Sequence, residues 1–126
     1  MRTVGITGSQ EKCEYVTGEL GADACINYNT TENLSEALSQ QCPDGIDVYF
    51  DNVGGNQLDA CLTLMNKYGR IIACGAINNY NKSPAPIYNY TNVLFKSLDF
   101  QGFIVGNYRS RWGEGMEKLA EWMNAG

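Results

Sequence analysis

A chain of 126 residues with 44% hydrophobic and 18% charged residues has the composition of one globular domain, neither disordered nor fibrous. Nine Lys and Arg against fourteen Asp and Glu leave a net charge of −5, which argues against a nucleic-acid or anionic-membrane partner. The chain has no histidine, so imidazole metal sites, Ser-His or Cys-His catalysis and histidine pH switching fall away within it.

Short apolar runs alternate with amphipathic stretches along the chain. Val4-Gly5-Ile6 reads as a strand that leads into Gly8-Ser9. Ser9 is placed to N-cap a helix that carries Val16 and Leu20 on one face and stops at Gly21. Ala24 to Tyr28 reads as a short strand, and Asn33 to Gln41 as a helix with Leu34, Ala37 and Leu38 at helical spacing. Pro43-Asp44-Gly45 is a turn. Ile46 to Phe50 is the best strand pattern, ending at Asp51-Asn52 ahead of Val53-Gly54-Gly55. A helix with Leu58, Cys61, Leu62 and Met65 inward follows, and Tyr68-Gly69-Arg70 turns into the strand Ile71 to Cys74, closed by Gly75. Asn78 to Tyr90, polar and with Pro84 and Pro86, reads as a loop. Val93 to Leu98 reads as a short helix, Phe100 to Val105 as a strand and Trp112 to Met123 as an amphipathic helix.

Strands separated by helices imply a parallel sheet with crossovers, an α/β fold. Ligands of such sheets bind beyond the carboxyl ends of the strands. Here those ends are Gly8-Ser9, Tyr28, Asn52 to Gly55, Gly75-Ala76-Ile77 and Val105-Gly106. Glycine at four of the five suits a backbone that approaches a ligand closely, and equally a strand that simply turns. The five cysteines form no C-x-x-C, which suits reduced thiols and gives no zinc pattern. The first residues are too short and polar for a signal peptide, no run approaches a membrane span, and the four N-x-S/T sequons then read as unused. The expectation is a soluble cytoplasmic protein with no metal.

The fingerprint G-x-G-x-x-G is absent, so either this is not a dinucleotide fold or the chain starts after its first βα unit. In the second case Val4 to Gly8 is the second strand. It ends in small residues with Lys12 one helical turn on, rather than in the acid that holds a ribose 2′-hydroxyl. Small residues and a cation suit a 2′-phosphate, hence NADP(H), although Lys12 on its own also reads as a solvated helix lysine.

Several motifs carry a resemblance. Gly8-Ser9-Gln10-Glu11-Lys12-Cys13, Leu20-Gly21-Ala22-Asp23, Ile26-Asn27-Tyr28, Pro43 to Gly55 and Cys74 to Asn81 together resemble the zinc-free medium-chain dehydrogenase/reductases. Within them the chain is most similar to the prostaglandin reductases, also called leukotriene B4 12-hydroxydehydrogenases, and to their prostaglandin reductase 2 branch, over essentially its whole length. The resemblance implies NADP(H), with Lys12 and Tyr28 at the 2′-phosphoadenosine end and Asn52 near the nicotinamide ribose. Cys74, Gly75, Ala76, Ile77, Asn78, Asn79 and Tyr80 would pass along the cofactor, and Phe103, Ile104 and Val105 would edge the nicotinamide and the substrate channel. It implies reduction of the carbon–carbon double bond of α,β-unsaturated ketones of the 15-keto-prostaglandin type, with Tyr80 near the ribose hydroxyl and the substrate carbonyl.

The family's N-terminal GroES-like catalytic domain, its first strand and its Gly-rich turn have no counterpart here. The expectation is therefore an incomplete Rossmann-type sheet, the second to sixth strands, inactive alone and prone to self-association through open sheet edges. A non-enzymatic interaction or nucleotide-binding module is the alternative, and a methyltransferase-like nucleotide binder a weaker third.

Overall fold

The computed structural model describes residues 1–77 and 85–125. Within them strands and helices alternate: β1 (Val4–Thr7), α1 (Gln10–Gly18), β2 (Ala24–Asn27), α2 (Leu34–Gln41), β3 (Ile46–Asp51), α3 (Gly55–Leu64), β4 (Met65–Ala73), α4 (Thr91–Phe95), β5 (Asp99–Gly102) and α5 (Trp112–Ala125), with a 3-10 stretch, Val105–Arg111, ahead of α5. Two starts follow from capping chemistry. The Ser9 hydroxyl oxygen accepts from the Lys12 amide at 3.3 Å, and the Asn33 side-chain oxygen accepts from the Glu36 amide at 3.2 Å. Each satisfies an amide that the helix itself leaves without a partner.

All strand pairs are parallel, as the alternation implies, but they form two ladders: β1-β2, and β3-β4-β5 with β4 central. No ladder joins β1 to β3, so each presents an edge. Side chains bridge the two ladders. Ile26, Leu38, Ala60 and Cys61 form a buried cluster against which Val4, Ile6, Ile46 and Tyr49 pack. A second cluster, Leu58, Leu62, Met65 and Ile71, holds α3 to the larger ladder. The opposite face of β3 is open, with Val48 and Phe50 each 56% exposed, although parallel sheets are normally covered on both faces.

The structure departs from the sequence expectations in several places: the short helix α4 covers Thr91–Phe95 rather than Val93 to Leu98, and Met65, expected on α3, opens β4. Leu20 is 64% exposed, because α1 ends at Gly18 and Cys13 is its buried residue. Strand β4 starts at Met65 rather than Ile71: its pairing shifts between Ile46 and Val48, and Tyr68 takes φ 66°, so the expected turn is an irregularity within a longer strand. Strand β5 stops at Gly102, leaving Ile104 and Val105 outside it, and the 3-10 stretch after it carries no sequence period that announces it. Tyr28 lies just beyond β2, its amide still bonded to the Thr7 carbonyl at 3.0 Å. Helix α5 has the expected amphipathic pattern, yet Trp112, Met116, Leu119, Trp122 and Met123 are all exposed.

Candidate functional site

The carboxyl ends of β1 and β2 bring the first group of candidates together. The Ser9 cap places Lys12 in the first turn of α1, exposed and without an ion pair among the described residues. A Cβ on Gly8 would lie 2.8 Å from the Tyr28 hydroxyl, so the glycine is what lets the ring approach the end of β1. Asn29 closes the same corner by donating to the Gly8 carbonyl at 2.7 Å. The result is a helix start with a cation, a hydroxyl and a phenol around it, a donor set suited to a phosphate.

The ends of β3 and β4 form the second group, and they are tied together. The Asp51 carbonyl accepts from the Cys74 amide at 2.7 Å and the Gly75 amide at 3.1 Å, and the Asn52 carbonyl accepts from the Ile77 amide at 3.3 Å. A Cβ on Gly75 would sit 2.8 Å from the Asn52 carbonyl oxygen, so only glycine allows this crossing. Asn52 and Ile77 are exposed, Cys74, Gly75 and Ala76 half-buried. Below them, burial pushes the Tyr49 hydroxyl and the Cys61 thiol well above their usual values, Cys61 up to about 12, with the Asp51 charge adding to both.

Between the two groups lies a cleft of about 550 Å³ lined among others by Tyr28, Thr31, Ser35, Val53, Asn56 and Ile77. It joins Tyr28 to the β3 and β4 ends across the gap between the two ladders. Phe103 follows β5 directly: its amide donates to the Ala73 carbonyl at 2.9 Å, and its ring stacks on Tyr108 at 5.2 Å. Ile104 and Val105 are exposed beyond it. Candidates Asn78, Asn79 and Tyr80 lie outside the described residues.

Sequence reasoning missed two parts of this site. The cleft residues Thr31, Ser35 and Asn56 come from loop and helix starts that carry no periodic signal. Asp51 is buried, and its carboxylate accepts three hydrogen bonds. The signal that could have found it is the order Asp-Asn-Val-Gly-Gly after a strand, since an aspartate commonly bonds backbone amides two and three residues on. Among the described residues no group of three or more His, Cys, Asp or Glu could hold a metal ion, and no helix is long and apolar enough to cross a membrane.

A run of parallel strands with glycines, a cation and a phenol at their carboxyl ends is the architecture of a nucleotide-binding α/β domain. The zinc-binding dehydrogenase family profile matches residues 1–121, and the chain belongs to that family. Prostaglandin reductase 1 of Bos taurus is 41% identical over 134 residues, 99% of this chain and 39% of that protein. The 2-alkenal reductase (NADP(+)-dependent) of Nicotiana tabacum is 39% identical over 124 residues, 98% of this chain and 36% of that protein. The crystal structure of CurA in complex with NADPH from Vibrio vulnificus matches with a TM-score of 0.88 at 36% identity, over 99% of this chain and 39% of that one. The chain thus spans less than two-fifths of the length of each of these proteins. Its α/β fold is like the corresponding part of the NADPH-bound CurA, and its homologues include an NADP-dependent 2-alkenal reductase.

Proposed function

We propose that this chain is the NADPH-holding part of a reductase acting on the carbon–carbon double bond of α,β-unsaturated ketones, of the 15-keto-prostaglandin type. The observation that carries the reading is that Lys12, Tyr28, the cleft that Tyr28 lines with Ile77, and the crossed loops at Asn52 and Cys74 to Ile77 all lie at the carboxyl ends of parallel strands. The donor set fits the cofactor: a helix start and Lys12 for a 2′-phosphate, a half-apolar cleft beside Tyr28 for the adenine, and glycine at Gly75 where the backbone passes closest to its neighbour. When bound, the nicotinamide supplies the hydride.

The chain's own residues hold and orient. Lys12 neutralises phosphate charge and Tyr28 packs on the adenosine side. Asn52 would lie near the nicotinamide ribose, and Cys74, Gly75, Ala76 and Ile77, followed in the sequence by Asn78 and Asn79, would pass along the cofactor. The Tyr80 hydroxyl donates to the oxygen of the enolate that forms on the substrate, and Phe103, Ile104 and Val105 bound the channel. We read the open edges of β1 and β3 as the place of a strand outside this sequence, so that the 126 residues are a partial NADP-binding domain, inactive alone and able to self-associate. Prostaglandin reductase 1 of Bos taurus among the relatives supports the prostaglandin branch.

Parallel titrations with NADPH and NADH test this. NADPH should bind more tightly, and Lys12→Ala should remove the difference by weakening NADPH alone. Losing one charge-assisted phosphate contact costs about 1.5–3 kcal/mol, roughly 10- to 150-fold. Equal losses for both cofactors would overturn the 2′-phosphate assignment.

A further inference from the structure

Resting on the cofactor reading above, we propose that Asp51 is a positioning residue: its buried carboxylate and its carbonyl together set the shape of both loops that face the nicotinamide half of the site. The carboxylate is 1% exposed and makes no ion pair among the described residues. A single oxygen, Oδ1, accepts from the Tyr49 hydroxyl at 3.0 Å, the Val53 amide at 3.0 Å and the Gly54 amide at 2.8 Å. Three donors on one oxygen are what a buried charge without a counter-ion requires, since an unsatisfied carboxylate there is very costly. The loop that results takes a backbone path open to glycine. Gly54 sits at φ 70°, ψ −156° and Gly55 at φ 56°, conformations that side-chain-bearing residues rarely adopt. The bonds to the amides of residues 53 and 54 hold the chain there.

The backbone carbonyl of the same residue carries the second loop. It takes the amides of Cys74 and Gly75, while the next carbonyl, Asn52, takes Ile77. The loops also run close together there, since a Cβ added at Gly54 would come within 3.8 Å of the Ala76 Cα. Asp51 is therefore the shared post of two segments that approach the cofactor from neighbouring strands. It touches no substrate and needs none to act; its effect on binding passes through Asn52 and Cys74 to Ile77.

Amide NMR on the isotope-labelled 126-residue chain tests this without any turnover assay. In the wild-type chain the Val53 and Gly54 amides should exchange with solvent at least about tenfold more slowly than free-peptide amides, as hydrogen-bonded groups do. Asp51→Ala should speed that exchange, shift the Val53, Gly54, Gly75 and Ile77 signals, and remove the NADPH-induced shifts at Asn52 and Gly75 to Ile77, while shifts around Lys12 and Tyr28 persist. Asp51→Asn keeps an acceptor oxygen in place and should restore the footprint; a role in bulk stability alone would not discriminate between the two halves of the site. Free-peptide exchange at Val53 and Gly54 in the wild type would overturn the proposal. So would a folded Asp51→Asn chain without the nicotinamide-half footprint, or an Asp51→Ala chain that keeps it. If Asp51→Ala does not fold, the wild-type exchange and Asp51→Asn decide. NADPH-induced shifts absent from the whole wild-type chain would count against the cofactor reading, and the exchange rates would still judge the hold of Asp51 on its loop.

Discussion

Cys61 and Tyr49 sit side by side beneath the site, and their burial gives the protein a pH signature. Burial first, then the Asp51 charge and Cys42, raise the Cys61 thiol from 9.0 to about 12; burial first also raises the Tyr49 hydroxyl. Both groups lose their protons more readily in the unfolded chain than in the folded one. Their contribution to stability is thus complete below the unfolded values and is lost as pH rises toward the folded ones. Denaturation midpoints should fall from about pH 9 upward through about pH 12 in proportion to these shifts. Cys61→Ala should lessen the slope, and a midpoint flat across that window would contradict the assignment. None of this coupling was readable from the sequence, where Cys61 is one more apolar residue at helical spacing and Asp51 one more polar residue after a strand. The Ser9 cap was readable, because it acts on an amide three residues on, within reach of local pattern, whereas Asn33, read as the first residue of its helix, is the cap that precedes it.

Elements make a different set of tests, because glycine does opposite work in two of them. At Gly75 an added Cβ meets the Asn52 carbonyl oxygen at 2.8 Å, backbone against backbone, so Gly75→Ala should destabilise by about 1–3 kcal/mol, as overpacking typically does. At Gly115 in α5 nothing lies within 4 Å, so Gly115→Ala should stabilise by about 0.5–1 kcal/mol through helix propensity alone. Ser9→Ala should cost about 1 kcal/mol. Urea melts of the three variants check the signs together, and a stabilising Gly75→Ala would mean the β3 and β4 ends do not cross as described. The order and type of the elements from β1 to α3 were legible, although α1 and β2 end earlier than their patterns suggested. The start of β4 was not: Met65 pairs with Ile46 and Arg70 with Val48 across an irregular register, Lys67, Tyr68 and Arg70 face water, and periodicity reports side chains only. The end of β5 failed for the reverse reason, since Phe103-Ile104-Val105 is apolar enough to prolong a strand whose ladder has already ended at Gly102. The strand-end positions of Asn52 and Gly75 followed from the fold alone, whereas the cleft beside Tyr28 needed three loops brought together in space.

For the whole molecule the two ladders matter more than any single contact. The edges of β1 and β3, the open face with Val48 and Phe50, and the exposed Trp112, Met116, Leu119 and Trp122 of α5 leave apolar surface and unpaired backbone facing solvent. The chain should therefore self-associate as concentration rises in sedimentation or size-exclusion experiments, and should show no NADPH oxidation with an enone. A monodisperse monomer that turns over a 15-keto-prostaglandin would contradict both expectations. The ladder arrangement also bears on how the chain folds. Every paired strand joins a strand adjacent in the sequence, β1 with β2, β3 with β4, β4 with β5, and the crossover between them is the loop each pairing must close. Pairing of this kind has low contact order for a parallel sheet, which favours fast formation of each ladder by itself. The two ladders are joined by side chains around Ile26, Leu38 and Cys61 and, among the described residues, by no ladder of backbone bonds. They should therefore open as two separate cooperative units, with amides of β1 and β2 exchanging through a lower-energy opening than those of β4, which is bonded on both sides.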